Sequence, residues 1–246
     1  MDRGCAMGRI EQMIRHAVWN SGAKGIVVGV SGGVDSAVAA AMCCRAISGE
    51  QVVGLTLPSA VTPAADIEDA HTLCTRLGME HRVISIEPVL AAYRDMPGYA
   101  ENRYLLGNLM ARTRMAVLYL HANKEGRLVC GTSNKSEYLL GYCTKYGDNA
   151  ADFQPIVHLL KREVYEMARE LDIPAPILEK PPSAGLWEGQ SDEGEIGITY
   201  AEIDTALSAL ESQGWNPKTP IEENVLALVK KSEHKRLPAL NLAGVL

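Results

Sequence analysis

The run Gly29-Val30-Ser31-Gly32-Gly33-Val34-Asp35-Ser36 links an apolar stretch, 26–30, to an Ala-rich stretch, 37–47. A strand entering a helix through such small residues can cradle phosphate. Backbone N–H groups approach the anion closely, and the helix directs its positive dipole end and unpaired amides at it. Ser31 and Ser36 add hydroxyl donors. Asp35 makes sense beside phosphate only with a cation between them, and that cation would be Mg²⁺. The spelling excludes two commoner phosphate loops. Asp35 stands where a Walker loop needs Lys, and no G-x-G-x-x-G is present.

A second polar run, Gly131-Thr132-Ser133-Asn134-Lys135-Ser136-Glu137, supplies a hydroxyl at Thr132 and another carboxylate at Glu137. Two carboxylates near a triphosphate invite metal. Glu137 also lies three residues after Asn134, the spacing of a capping box, so the residues alone leave two roles open. Lys161 opens a helical stretch, where a cation opposes the dipole, and this predicts an anionic partner.

These groups require an alternating α/β frame. Strands are expected at 26–30, 51–57, 81–86 and 127–130, and helices at 7–20, 37–47, 63–77, 101–122, 161–171, 199–211 and 222–232. Thr62 is expected to cap the third helix, with Pro63 at its first position. The alternation predicts a mostly parallel open sheet with helices on both faces, ligands gathering at the carboxyl ends of its strands. The Pro-, Gly- and acid-rich stretch 179–198 reads as a long functional loop able to close over a reactive species. One domain spanning 1–246 is expected.

Composition narrows the function class. A formal net charge of −6 is the wrong sign for gripping a nucleic-acid backbone, and 5% aromatic residues supply few stacking platforms. No apolar stretch has the length of a bilayer span and the first residues lack a signal-peptide core, so a cytoplasmic protein without membrane or nucleic-acid partners is expected. The six cysteines include no C-x-x-C pair, and most read as reduced core thiols.

The Ser31–Ser36 signature resembles the ATP pyrophosphatase, or PP-loop, enzymes, which cleave ATP between the α and β phosphates. The chain also carries Gly107 to Met115, Lys145-Tyr146-Gly147-Asp148 with Asp152, Lys161-Arg162, Gln190 to Glu193 and Glu233-His234-Lys235-Arg236. In that order these are similar to the ammonia-dependent NAD synthetases over most of the chain. The resemblance implies an adenine-nucleotide α-hydrolase-like fold, a homodimer, and amidation of deamido-NAD by ammonia through an acyl adenylate, giving NAD, AMP and pyrophosphate.

It also implies site residues. Gly29, Val30, Ser31, Gly32, Gly33, Val34, Asp35, Ser36, Thr132, Lys161 and Ser183 would hold ATP, with Asp35 and Glu137 on Mg²⁺ and Asp35, Glu137 and Lys161 as the catalytic set. Arg112, Lys145, Asp152, His234 and Lys235 would hold deamido-NAD. Two departures from relatives stand out. The stretch 58–65 carries no basic or amide side chain for the adenine, and Val34 replaces a common Gln. Rival readings are a tRNA-modifying or thiolating PP-loop enzyme, opposed by the acidic balance and the absence of paired cysteines, and an ATP sensor, which has no need to neutralise a departing pyrophosphate. Glutamine-using relatives carry a further glutaminase domain, for which 246 residues leave no room, so free ammonia is the expected nitrogen source.

Overall fold

The computed structural model describes residues 3–187 and 189–238. In chain order it comprises α1 (Arg3–Ser21), β1 (Ile26–Gly29), α2 (Val34–Ile47), β2 (Val52–Thr56), α3 (Ala64–Arg76), β3 (Glu80–Val83), α4 (Glu87–Arg94), α5 (Arg103–Glu125), β4 (Leu128–Cys130), α6 (Lys135–Leu140), α7 (Lys161–Glu170), α8 (Ala175–Glu179), α9 (Asp192–Ile196), α10 (Tyr200–Ser212) and α11 (Pro220–Lys231). All pairings between the strands are parallel, in the order β3-β2-β1-β4. The chain moves outward from β1 to β3, then returns to pair β4 with the other side of β1. The topological switch point therefore lies between β1 and β4, where open parallel sheets bind their ligands.

Side-chain alternation along the central strand decides what each face covers. Ile26 and Val28 join a core with residues of α1, α2, α3 and α7, while Val27 joins one with Leu90 of α4 and Met110 and Ala122 of α5. Both faces of β1 are buried, which accounts for its unbroken apolar run. A third cluster, built on Ile203, Leu207 and Leu210 of α10 and Val225 of α11, also takes in Leu140 of α6. It anchors the helix carrying Glu137 to the C-terminal helices.

Several element boundaries differ from the sequence reading. Helix α2 begins at Val34, three residues before the Ala run, because Gly33 is extended and its carbonyl already accepts Ala37 N–H. Pro63 is the N-cap of α3 rather than its first residue, and the Thr62 hydroxyl accepts from Ser59 N–H instead of a helix amide. Helix α4 was not anticipated. The stretch 179–198 is not all loop, since α8 ends at Glu179 and α9 lies within it. Side chains tie it together: Leu186 N–H donates to Gln190 Oε1, and Gln190 Nε2 and the Tyr142 hydroxyl both donate to Glu195 Oε2.

Candidate active site

The turn after β1 is shaped by its own hydroxyls. The Ser36 hydroxyl donates to Gly33 O at 2.9 Å and accepts from Ser31 N–H at 3.2 Å, while Gly33 N–H points to Ser31 Oγ at 3.3 Å. Gly32 has φ +79°, and a Cβ there would stand 2.5 Å from the Asp66 carbonyl oxygen, so only glycine lets the turn lie against the start of α3. Gly33 offers no side-chain cap to α2. The first amides of that 14-residue helix are thus left facing the turn, as an anion cradle requires.

Across the switch point, Asn134 links the two polar runs. Its Oδ1 accepts from Glu137 N–H at 2.9 Å, capping α6, while its Nδ2 donates to Asp35 Oδ1 at 2.7 Å. Only half of a capping box forms, because the Glu137 carboxylate turns away from the cap and into the site. There the Lys161 ammonium donates to Asp35 Oδ2 at 2.6 Å and to Glu137 Oε1 at 3.0 Å. The anionic partner expected for this lysine is therefore the carboxylate pair itself.

Lys161 can open α7 because other groups satisfy that helix end. Its N–H donates to Ser136 Oγ, the Ser136 hydroxyl donates to Asp204 Oδ1, and Arg162 N–H donates to Asp204 Oδ2 at 2.8 Å. The buried Asp204 from α10 thus supplies the negative charge that the dipole favours.

Tyr200, which the sequence does not single out, joins the centre together with Asp192 of the Gln190–Glu193 run. The Tyr200 hydroxyl lies 3.3 Å from Glu137 Oε1 and 3.0 Å from Asp192 Oδ2, and its ring faces the Lys161 ammonium at 4.8 Å. One phenolic proton cannot serve both carboxylates at once. Burial pushes Glu137 up to about 7, the Asp35 carboxylate adds to this, and Lys161 opposes it. Burial also raises Asp192. Desolvation alone would pull Lys161 down, but Asp35 and Glu137 override it and raise its pKa. Asp35 and Glu137 face the one ammonium and Tyr200 links Glu137 to Asp192, so acidic side chains outnumber the cation. Among the described residues no group of three or more His, Cys, Asp or Glu side chains forms a ready-made metal cage. Asp35 and Glu137 could still hold Mg²⁺, an ion that commonly takes one or two protein carboxylates and completes its shell with phosphate and water.

Residues expected to meet the second substrate fall into two places. Arg112 Nε donates to Lys145 O, the Lys145 ammonium to His234 O at 2.5 Å, and Asn149 Nδ2 to Lys235 O, so α5, the 143–149 turn and the 233–236 turn join. The Lys235 ammonium turns inward, donating to Gly141 O and Cys143 O at 2.7 Å each. Asp152 lies apart beside the middle of β4, accepting from Val129 N–H at 2.7 Å and from the Tyr119 hydroxyl at 3.3 Å. Thr132 is half-buried just beyond β4. Ser183 is exposed, its hydroxyl accepting from Gly185 N–H. Near the stretch 58–65, which lacks basic side chains, Arg114 of α5 donates to Leu57 O at 3.0 Å.

The chain that carries this candidate site is similar to known proteins over nearly its whole length. The family model for NAD synthase matches residues 6–239, which include every element of this site. The NH(3)-dependent NAD(+) synthetase of Methanoregula boonei is 66% identical over 242 residues, 98% of each chain. Among solved structures, that of NMN synthetase from Francisella tularensis is similar with TM-score 0.87 and 38% identity, covering 98% of each chain. The NH3-dependent NAD synthetase from Campylobacter jejuni in complex with the nitrate ion gives TM-score 0.84 and 33% identity, covering 98% of this chain and all of that one. The cradle, the paired acids and the lysine thus lie within a match that runs almost end to end, and the chain belongs to the NAD synthase family.

Proposed function

We propose that this chain is a ligase that amidates deamido-NAD with free ammonia at the expense of ATP. The observation that carries the reading is the Lys161 ammonium between Asp35 and Glu137 beside the cradle, in a chain so similar to ammonia-dependent NAD synthetases. The nicotinate carboxylate attacks the α phosphate, the α–β bridge breaks and pyrophosphate leaves. Ammonia then attacks the acyl carbon, loses a proton and expels AMP.

This chemistry calls for positioning and charge neutralisation rather than a protein nucleophile. The cradle from Gly29 to Ser36, with Thr132 and Ser183, grips the triphosphate, and Lys161 moves onto its oxygens as ATP arrives. Asp35 and Glu137 would hold Mg²⁺, which would supply charge neutralisation for the departing pyrophosphate. Arg112, Lys145 and His234 receive the dinucleotide. Lys235 acts through the 141–143 turn that its ammonium braces, and Asp152 through Val129 of β4. The segment 179–198 closes over the adenylate and excludes water.

A homodimer fits the outer face of α5, where Leu105 and Leu120 are 57% and 65% exposed on the same stripe as Arg112. A cytoplasmic setting is consistent with the finding that, among the described residues, no helix is long and apolar enough to cross a membrane.

The likeness to an NMN synthetase favours a second reading, in which the substrate is the corresponding nicotinate mononucleotide. Incubating the chain with ATP, Mg²⁺, ammonium and deamido-NAD tests the proposal. NAD and AMP are expected in equal amounts, and ADP in place of AMP would overturn it.

A further inference from the structure

Lys180, at the C-terminal end of α8, reaches back to the cradle. Its ammonium donates to Gly32 O at 3.3 Å, to Asp66 Oδ1 at 2.7 Å and to Asp69 Oδ2 at 2.6 Å. Asp66 and Asp69 lie in the first two turns of α3, the helix whose backbone Gly32 abuts. One side chain thus joins the phosphate turn, α3 and the root of the segment carrying Ser183.

The contact with Gly32 fixes a direction. In a trans peptide the C=O and the following N–H point opposite ways. A cation holding the Gly32 carbonyl therefore sets Gly33 N–H at the opposite edge of the same plane, where it donates to the Ser31 hydroxyl of the cradle. Gly32 and Gly33 have no side chains of their own to hold this peptide; Ser31 Oγ meets its N–H edge, and Lys180 is the side chain that meets its carbonyl edge. Asp66 and Asp69 meanwhile hold the ammonium in place, and their charge is partly neutralised near the point where a polyphosphate would sit. Lys180 is only about one-quarter exposed, with Asp66 and Asp69 similarly sheltered, so the cluster is not an ordinary solvated surface pair.

We infer that Lys180 is a positioning residue for ATP: by holding the Gly32 carbonyl it sets the Gly32–Gly33 peptide with its N–H turned into the phosphate cradle. The inference rests on the proposed ATP-dependent reading of the site. It assigns Lys180 no contact with the reacting atoms. It also separates the lysine, which orients the peptide, from the two acids, which only steady the lysine.

The test is calorimetric binding of Mg²⁺ with α,β-methylene-ATP, an analogue that cannot be cleaved at the α–β bond, to the full chain and its variants. Lys180→Met is expected to weaken binding roughly tenfold, the order of one charge-assisted hydrogen bond. The KM for ATP should rise similarly while that for deamido-NAD stays within about twofold. Lys180→Arg, which keeps a cation in reach, should recover most of the affinity. The double variant Asp66→Asn/Asp69→Asn should bind the analogue nearly as well as the parent, because the lysine still meets Gly32. Parent-like affinity in Lys180→Met overturns the inference. So does a loss in the double variant equal to that in Lys180→Met, which would reduce Lys180 to a tether between α8 and α3. If Lys180→Met does not fold, Lys180→Gln takes its place, read against the parent and the double variant in the same way. Failure of the parent itself to bind the analogue would count against the ATP-dependent reading, and is read before any variant.

Discussion

Lys161 and Asp35, 126 residues apart in sequence, meet at 2.6 Å across the gap between β1 and β4. The lysine is almost fully buried, so its charge stays in the interior only because Asp35 and Glu137 face it. This pairing gives the free protein an internal cation where the proposed reaction needs cations, and it makes the two carboxylates interdependent.

Asp35→Asn is expected to reduce turnover by at least about a hundredfold at saturating Mg²⁺, in the range found when one group stabilising transition-state charge is removed. The fold should persist, since Glu137 still pairs with Lys161 and Asn134 still caps α6. Circular dichroism and steady-state kinetics on the same preparation check this. Near-normal turnover would remove Asp35 from the reaction.

Glu137→Gln separates two roles of one residue. The α6 cap uses the Glu137 backbone N–H and the Asn134 side chain, so the substitution leaves the cap intact. Turnover is expected to collapse without loss of a cap. Asn134→Ala should show the complementary result in denaturant unfolding, losing about 0.5–2 kcal/mol from the missing cap, together with activity because Asp35 loses its Nδ2 donor.

Lys145→Met is expected to raise the KM for deamido-NAD several-fold more than the KM for ATP, because its ammonium ties the Arg112 region to the 233–236 turn. Cutting the chain before Glu233 is a poorer test. Lys235 and Arg236 bond to the carbonyls of Gly141, Cys143, Tyr138 and Leu139, so that truncation disturbs α6 as well. Equal changes in both KM values for Lys145→Met would point to a general structural role.

Burial pushes Cys44 and Cys74 up to about 12, and burial with the Asp148 carboxylate does the same to Cys143. Thiolate is the reactive form, so iodoacetamide at pH 8 should leave activity nearly unchanged. The sign of the linkage follows from the upward shift. Between pH 9, where an unfolded thiol titrates, and about 12, the unfolded chain releases protons that the folded chain keeps. The stabilisation is complete below pH 9 and is lost as pH rises toward 12. Thermal unfolding across that interval checks it. Glutamine should not replace ammonium as nitrogen donor, and efficient NAD formation from glutamine by the pure chain would contradict the reading.

Much of this architecture was legible in the sequence, and the failures have physical causes. The apolar runs of β1 and β2, buried on both faces, carry a strong local signal. So did the spacing that gave Asp35, Glu137 and Lys161. The unfavourable place of Lys161 at a helix start foretold its anionic partners. Tyr200 and Lys180 carried no such mark. Their roles arise from contacts 63 and 148 residues away in the chain, and local patterns do not encode those distances. The inward turn of Lys235 carried no mark either, since its ammonium meets the carbonyls of Gly141 and Cys143, 94 and 92 residues away. In 179–198, Pro and Gly content hid α9, a five-residue helix capped by Ser191, which is too short to show periodicity.

The most direct test compares deamido-NAD and nicotinate mononucleotide as acceptors, with ATP, Mg²⁺ and ammonium fixed, following AMP and amidated product together. One AMP per NAD formed is expected, with kcat/KM for deamido-NAD at least about tenfold above that for the mononucleotide and a rate at subsaturating ammonium that climbs above neutral pH as free ammonia increases. A preference for the mononucleotide would contradict the assignment of Arg112, Lys145 and His234 to a dinucleotide. Absence of AMP with either acceptor would contradict the account as a whole.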